Sequence, residues 1–403
     1  MARDWAPRLL FLLLFAGCSG TAAHDGGVPP AGWRQAGALS TPRQLHTATL
    51  VGPGRVLVAG GLGSAGSALS STEIVDVASG VVLAGRPLTV GRQGHSATVL
   101  ADGRVLVAGG LDDSGALASV EIYDPRGGVW RAGSPLAHAR HGHSALALDG
   151  GTRVLVAGGL EDRLASAVLE CELYDVARQT WSPAGLLARG RARPTATQLA
   201  DGRVLVAGGS DAGQPLKSME IWDPTLGTWV AAPDLSEARA GHATALLGDG
   251  SLLVVGGETA AVDRFEPAPQ QLRALAPLPA ALSEHTLTPL PDGRALLVGG
   301  RGEASVFDYS AEVRIFDGGS RSWTTSAALG SARAGHRATW LPPGSVLVSG
   351  GFGPDGLVET VELGGPFGVT GPVDAGPLSD GDAPRHDADL GAVDIGPSDA
   401  AGG

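Results

Sequence analysis

The heptapeptide RVLVAGG occurs four times unchanged, at residues 55–61, 104–110, 153–159 and 203–209. Three looser copies follow: SLLVVGG at 251–257, RALLVGG at 294–300 and SVLVSGG at 345–351. The first glycine of each pair falls at 60, 109, 158, 208, 256, 299 and 350, so the unit recurs every 43 to 51 residues. A period of this length marks an array of supersecondary units, each too small to bury its apolar surface except against its neighbours.

The unit can be read strand by strand. Residues 92–130 contain the alternating stretch HSATVL, the hairpin dipeptide Asp102-Gly103, the apolar strand RVLVA, the Gly-Gly pair and a loop; SVEIYD, a short turn and a strand begun by Trp130 follow. Asp-Gly recurs at 201–202, 249–250 and 292–293 and suits a tight turn, because both positions tolerate positive φ. Val105-Leu106-Val107 is apolar on both faces, as a strand covered on both sides must be. Four antiparallel strands repeated in this way are the blades of an all-β propeller, and seven Gly-Gly strands predict seven blades. The last unit stops at TVEL, residues 360–363, without its Trp strand, whereas GWRQAGAL at 32–39 is such a strand with no unit of its own. The Trp33 strand is therefore expected to complete the seventh blade and so remove the open sheet edges.

The Gly-Gly pair precedes an aromatic-acid strand ending (Tyr123-Asp124, Tyr174-Asp175, Trp222-Asp223, Phe316-Asp317), with Trp about six residues later. In this register the chain resembles the kelch repeat over roughly residues 33–363. Val81-Val82 in the first unit and Leu272 in the fifth stand where Trp is expected. The resemblance implies a candidate binding face, since in some kelch domains similar arginines line a channel mouth and grip acidic peptides. Here those positions are the arginines of a recurrent Arg-x-x-His: Arg43/His46, Arg92/His95, Arg140/His143, Arg239/His242 and Arg333/His336, with Arg191 followed by Pro194. The candidates are Arg92, Arg140, Arg191, Arg239 and Arg333.

The same residues leave a second use open. Every unit with the arginine has an acid early in its third strand: Glu73, Glu121, Glu172, Glu220, Asp263 and Glu362. The sixth unit has Leu282 for the arginine and Arg314 for the acid, which suggests a reversed pair with Glu284. Strands one and three of a sheet lie about 9.6 Å apart, twice the interstrand spacing. An arginine can cross that gap where Gly-Gly leaves no side chain between.

The residues of known propeller chemistries are scarce. A galactose oxidase-like copper site needs tyrosines, histidines and a Cys–Tyr crosslink, but of three tyrosines Tyr123 and Tyr174 belong to the repeat, leaving Tyr309. Sialidase-like chemistry needs an arginine cluster with a Tyr/Glu nucleophile, which the positions outside the repeat do not supply. Histidines placed once per blade spread round a ring instead of converging on a metal; within the repeat array His138 and His141 lie off the pattern and are the one pair left to consider. No catalytic residue, cofactor or metal is therefore assigned. Variation between units concentrates in the sixth blade's loop, with Phe307, Asp308 and Tyr309, and in ARGRARP at 188–194, with Arg189, Arg191 and Arg193. Loops on a rigid scaffold are where binding residues gather.

The two ends read differently from the repeats. Arg3 and Arg8 precede an apolar run, Leu9–Ala16, too short to span a bilayer and typical of an export signal. FAGC resembles a bacterial lipobox, in which Cys18 would be acylated; an ordinary signal with an incidental cysteine is the other reading. With Cys18 acylated or removed, Cys171 has no cysteine to pair with. Residues 366–403 carry seven Asp and one Arg without aromatic residues after Phe367, the composition of a disordered acidic tail. The formal net charge of −12 argues against a nucleic-acid partner.

The chain is thus read as a signal peptide (1–17), a lipid-anchored linker (18–31), a seven-bladed propeller (32–365) and an acidic tail (366–403). It is expected to be exported and monomeric. The N-terminal lipid would hold it to the membrane of the cell envelope, at the outer membrane or cell surface; without the lipid it would be periplasmic or secreted. Its expected role is non-catalytic binding or scaffolding with a protein or glycan partner. The alternative is a propeller enzyme (oxidase, sialidase or lyase-like) acting on extracellular or envelope polymers.

Overall fold

A computed structural model describes residues 32–161, 167–304 and 308–367. The signal segment, Cys18 and its linker, Phe307 and the tail beyond residue 367 lie outside the described residues. Seven four-stranded antiparallel sheets succeed one another along the chain, and no α-helix occurs among the described residues. We label the strands of each blade a to d from the channel outward. Blade 2 is typical, with Ser96–Val99, Val105–Ala108, Val120–Asp124 and Val129–Gly133 paired in that order. The a strands of successive blades pack against one another round the ring, from Thr47–Gly52 of blade 1 to Arg337–Leu341 of blade 7 and back.

The core is shared between blades. Leu106 and Ala108 enter the cluster between blades 2 and 3, whereas Val105 and Val107 enter the one between blades 1 and 2. Period-two alternation thus sends one b strand into two cores, which is why RVLVA has no polar face. Aromatic pairs hold the outer strands: Tyr123 lies opposite Trp130, with ring centroids 4.9 Å apart, and Trp130 Nε1 donates to Arg86 O at the edge of the preceding blade. Valine at 82 and leucine at 272 fill the same cross-strand position in blades 1 and 5, opposite Val75 and Phe265.

The fourth strand of blade 7 is Gly32–Ala38, antiparallel to Thr360–Gly365. A Cβ on Gly364 would lie 2.7 Å from the Trp33 ring, so only glycine fits beneath that indole. Packing continues two residues beyond the boundary read from the sequence, because Phe367 is buried against Trp33 and its N–H donates to Gly344 O at 2.6 Å. Removing residues 32–38 is expected to lower Tm by roughly 6 °C or more, since losing the burial of Trp33 and Ala36 costs about 3 kcal/mol. An unchanged melting curve would show that the ring does not depend on this strand.

Candidate functional site

Connections between blades and the b–c loops share one face of the ring, here called the loop face; the Asp-Gly hairpins and c–d turns occupy the other. The Arg-x-x-His motif, or its variant with Pro194 in blade 4, begins every blade but the sixth on the loop face, and its arginines do not project from it. Arg43, Arg92, Arg140, Arg191, Arg239 and Arg333 are all 0% exposed. Each spans its own blade to the acid on strand c, at 2.6–2.8 Å: Glu73, Glu121, Glu172, Glu220, Asp263 and Glu362 in turn.

The Gly-Gly pair makes that crossing possible. Arg92 Nη1 donates to Gly109 O at 2.7 Å and Ser119 O at 3.0 Å, while Nη2 reaches Ser119 Oγ and Glu121. Glu121 in turn accepts the Thr89 N–H at 2.8 Å, holding the segment that leads into the blade. A Cβ on Gly109 would lie 2.4 Å from Arg140 O and 2.9 Å from His143 Cε1 of the next blade, and its φ of +62° suits glycine. Burial lowers the arginine pKa values, and the acid partner opposes the shift. The five candidate arginines are therefore internal struts with no surface to offer a ligand.

Blade 6 departs from the reversed pair expected there. Arg314 bonds Glu312 two residues away, and Glu284 lies 3.5 Å from Arg193 of blade 4. Leu282 takes the arginine's position and packs against the apolar cluster between blades 5 and 6. An aliphatic side chain thus replaces a buried ion pair, a substitution that costs little when both charges go together.

The histidines form a belt between blades. His95, His143, His242 and His336 each place Nε2 2.9–3.0 Å from the hydroxyl that opens the preceding a strand, on Thr47, Ser96, Thr195 and Thr286. Burial holds them neutral, with His143 and His242 pushed down to about 3 and His285 to about 4. His285 has no partner for Nε2 because the preceding blade offers Ala243 where blades 1, 2, 3, 4 and 6 carry a hydroxyl. Ala243→Thr is expected to stabilise the fold by about 1 kcal/mol in urea unfolding; a neutral or destabilising outcome would refute this account of the belt.

Three residues at the channel mouth break a backbone rule. The residue before each motif histidine has positive φ, and in blades 2, 3, 5 and 7 it is Gly94, Gly142, Gly241 and Gly335. Blades 1, 4 and 6 instead place Leu45, Arg193 and Glu284 there, at φ +55°, +48° and +54°. Left-handed backbone costs a side-chain-bearing residue about 1–2 kcal/mol, and such strain gathers at functional sites. Backbone bonds link these positions between blades: Gly142 N donates to Gly94 O at 2.8 Å, Arg193 N to Gly142 O at 2.7 Å and Gly335 N to Glu284 O at 2.9 Å. Arg193 keeps 66% of its side chain exposed and, with Glu284, spans blade 5. The sequence signal was present, in the residue that is glycine in four units and not in three.

The other candidates do not converge. Asp308 caps its own loop by accepting the Ala304 N–H at 3.3 Å, and Tyr309 stacks on Phe352 of blade 7 with centroids 5.9 Å apart. Arg189 reaches Asp211 at the rim, 3.4 Å away. His138 pairs with Glu161 at 3.3 Å. Cys171 is buried, and burial pushes its thiol up to about 12. Among the described residues no three His, Cys, Asp or Glu side chains come together as a metal site. Two surface concavities lie on the opposite face, beside the Asp102-Gly103 and Asp249-Gly250 hairpins.

Comparison with known proteins agrees with this architecture. The Kelch motif model matches residues 93–137 and 192–236. Among solved structures, a fungal alcohol oxidase of the AA5 family in complex with copper superposes with a TM-score of 0.66 at 19% identity, over 82% of this chain and 75% of that one. The structure of YjhT superposes with a TM-score of 0.56 at 16% identity, over 72% of this chain and 99% of that one. Likeness at these identities concerns the fold alone. No curated protein matches. With its Gly-Gly strands, its aromatic pairs and seven closed four-stranded sheets, this chain is a kelch-repeat β-propeller.

Proposed function

We propose that this protein is a non-catalytic binding or scaffold module that engages a protein or glycan partner through its loop face. One observation carries the reading. The recurrent arginines, their strand-c acids and the motif histidines are consumed inside and between the blades, whereas strained and charged residues outside the repeat gather at the channel mouth, around Arg193 and Glu284. The basic and apolar N-terminus with Cys18 supports export and lipid anchoring in the cell envelope. The copper chemistry of the AA5 oxidase does not fit the residues present. Tyr123 and Tyr174 are buried against tryptophans, Cys171 is an inert buried thiol, and the motif histidines point at neighbouring hydroxyls.

The test is cross-linking capture from envelope extract, with the exported chain as bait beside two variants, Arg193→Ala/Glu284→Ala and Asp308→Ala/Tyr309→Ala. A partner retained by the parent and lost with the mouth variant is the expected result. Equal capture by all three baits, or none by any, would defeat the reading. Turnover of an envelope polymer would then point to the enzymatic alternative.

A further inference from the structure

The d strands are the sheet edges of this ring, and they are not alike. The residue after the tryptophan position is Arg34, Arg131 or Arg273 in blades 7, 2 and 5, and Ser182 or Thr324 in blades 3 and 6. Blades 1 and 4 place Leu83 and Val230 there, 53% and 52% exposed. In blade 1 the strand is Val81–Ala84, without charge or proline, and Val81 is exposed as well. Edge strands are ordinarily kept from contact by charge or proline, so a bare apolar edge calls for a reason.

Its surroundings set the blade 1 edge apart. Five exposed arginines lie about it: Arg34 on blade 7, Arg55 and Arg86 on blade 1, Arg126 and Arg131 on blade 2. The outer strands of these blades touch. A Cβ on Gly37 of blade 7 would lie 2.9 Å from Val82 Cγ2, and Trp130 Nε1 of blade 2 donates to Arg86 O at 2.9 Å. Arg34, Leu83 and Arg131 hold the same register on three successive edges, opposite Leu363, Ile74 and Ile122. None of the five arginines has a carboxylate within 4 Å among the described residues, whereas Arg178 of blade 3 and Arg273 of blade 5 are held by Asp175 and Glu266 at 2.6 and 3.2 Å.

The acids of these three blades are placed elsewhere. Glu73, Glu121 and Glu362 are buried in the struts, and Asp102 is paired with Arg104. Asp112, Asp113, Asp355 and Glu359 belong to b–c loops on the loop face. Among the described residues that leaves Asp76 and Asp124, which accept N–H groups of their own turns from Ser79 and Arg126. Five cations against two carboxylates give this rim a positive excess, in a chain whose formal net charge is −12. Cations around exposed aliphatic side chains are what an anionic bilayer attracts: arginines meet the headgroups, and the apolar residues enter the acyl boundary. A soluble polyanion would use the arginines but not the apolar edge.

We propose that the outer rim of blades 7, 1 and 2 docks on a membrane surface of anionic phospholipid, with Val81 and Leu83 at the contact and Arg34, Arg86 and Arg131 around them. Gly32 begins the outer strand of blade 7, so the chain leading back to Cys18 joins this same rim and spans at most about 50 Å. An acyl chain on Cys18 and the rim would then act on one membrane, and stable anchoring takes two such signals. Docked this way the ring stands on edge and the loop face stays uncovered, so the inference goes beyond the partner-binding reading and does not need it.

Vesicle co-sedimentation tests the docking with the exported chain made without acyl groups. The probes are vesicles of phosphatidylcholine alone, vesicles with one third phosphatidylglycerol, and dextran sulfate as a soluble polyanion. Binding to the phosphatidylglycerol vesicles is expected to be at least tenfold tighter than to phosphatidylcholine alone, and to fall as salt rises. Arg34→Gln/Arg86→Gln/Arg131→Gln should weaken it at least tenfold, since each cation near an anionic surface contributes about fivefold. Leu83→Gln should weaken it at least threefold while dextran sulfate binding stays unchanged. Lys217→Gln/Arg321→Gln removes two exposed cations of blades 4 and 6 and should leave vesicle binding within twofold of the parent. All these side chains are exposed, so Tm should stay near the parent's; if the triple variant does not fold, Leu83→Gln and the control on blades 4 and 6 decide. No preference for phosphatidylglycerol, an equal loss in that control, or undiminished vesicle binding by Leu83→Gln overturns the proposal. Because the assay contains no protein partner, its failure would leave the partner-capture result standing by itself.

Discussion

Acidification from pH 7 is expected to unfold this protein steeply, with a midpoint at about pH 5. The six motif histidines, His46, His95, His143, His242, His285 and His336, are depressed by burial, several of them further by the arginine of their own motif. The folded pKa lies below the unfolded value of about 6.5, so the unfolded chain binds more protons between the two. The stability held by neutral histidines is therefore complete above about pH 6.5 and lost as pH falls towards the folded values, about 3 to 4 where they are defined. Each histidine contributes a slope of about 1.4 kcal/mol per pH unit, and six titrating together give about 8 kcal/mol per unit, comparable with the whole stability of a typical domain. Melting temperatures between pH 7.5 and 4.5 would measure it. A flat profile would mean that the belt is not held neutral.

Breaking one Arg–acid strut is the second large effect. Arg92→Leu strands the Glu121 carboxylate in a buried site and leaves Gly109 O and Ser119 O without their donor, at an expected cost of roughly 3–5 kcal/mol in urea unfolding. The converse change should be as harmful. Leu282→Arg inserts a buried cation into blade 6, where strand c carries Arg314 instead of an acid. Adding Arg314→Glu should recover most of that loss, since the pair then has the chemistry of the other six blades. Near-neutral single variants would show that the struts do not hold the blades. The ion pair is no stronger in principle than a well-packed apolar substitute, as Leu282 illustrates. What it supplies is a rigid bridge to backbone carbonyls, Gly109 O and Ser119 O in blade 2, that an aliphatic side chain cannot satisfy.

The blades, the buried b strands, the Gly-Gly clearance and the Arg–acid struts were all legible in the amino-acid order. Each is a local pattern repeated in register, and a strand alternates its side chains whatever lies beside it. The reversed pair in blade 6 was misread for a related reason. Glu284 occupies a left-handed position, so its side chain leaves the blade for the mouth, and pattern alone carries no φ. Phe367 was assigned to the tail because its partner, Trp33, comes from the other end of the chain. Arg193 with Glu284, and Arg337 with Ser349 and His46, are likewise separated by tens to hundreds of residues. The sequence by itself determined what each blade is, because short-range alternation and turn chemistry act within about fifty residues. Only the closed ring decided what faces the channel, because it brings together residues from blades that share no local pattern and leaves their charges either paired or unpaired.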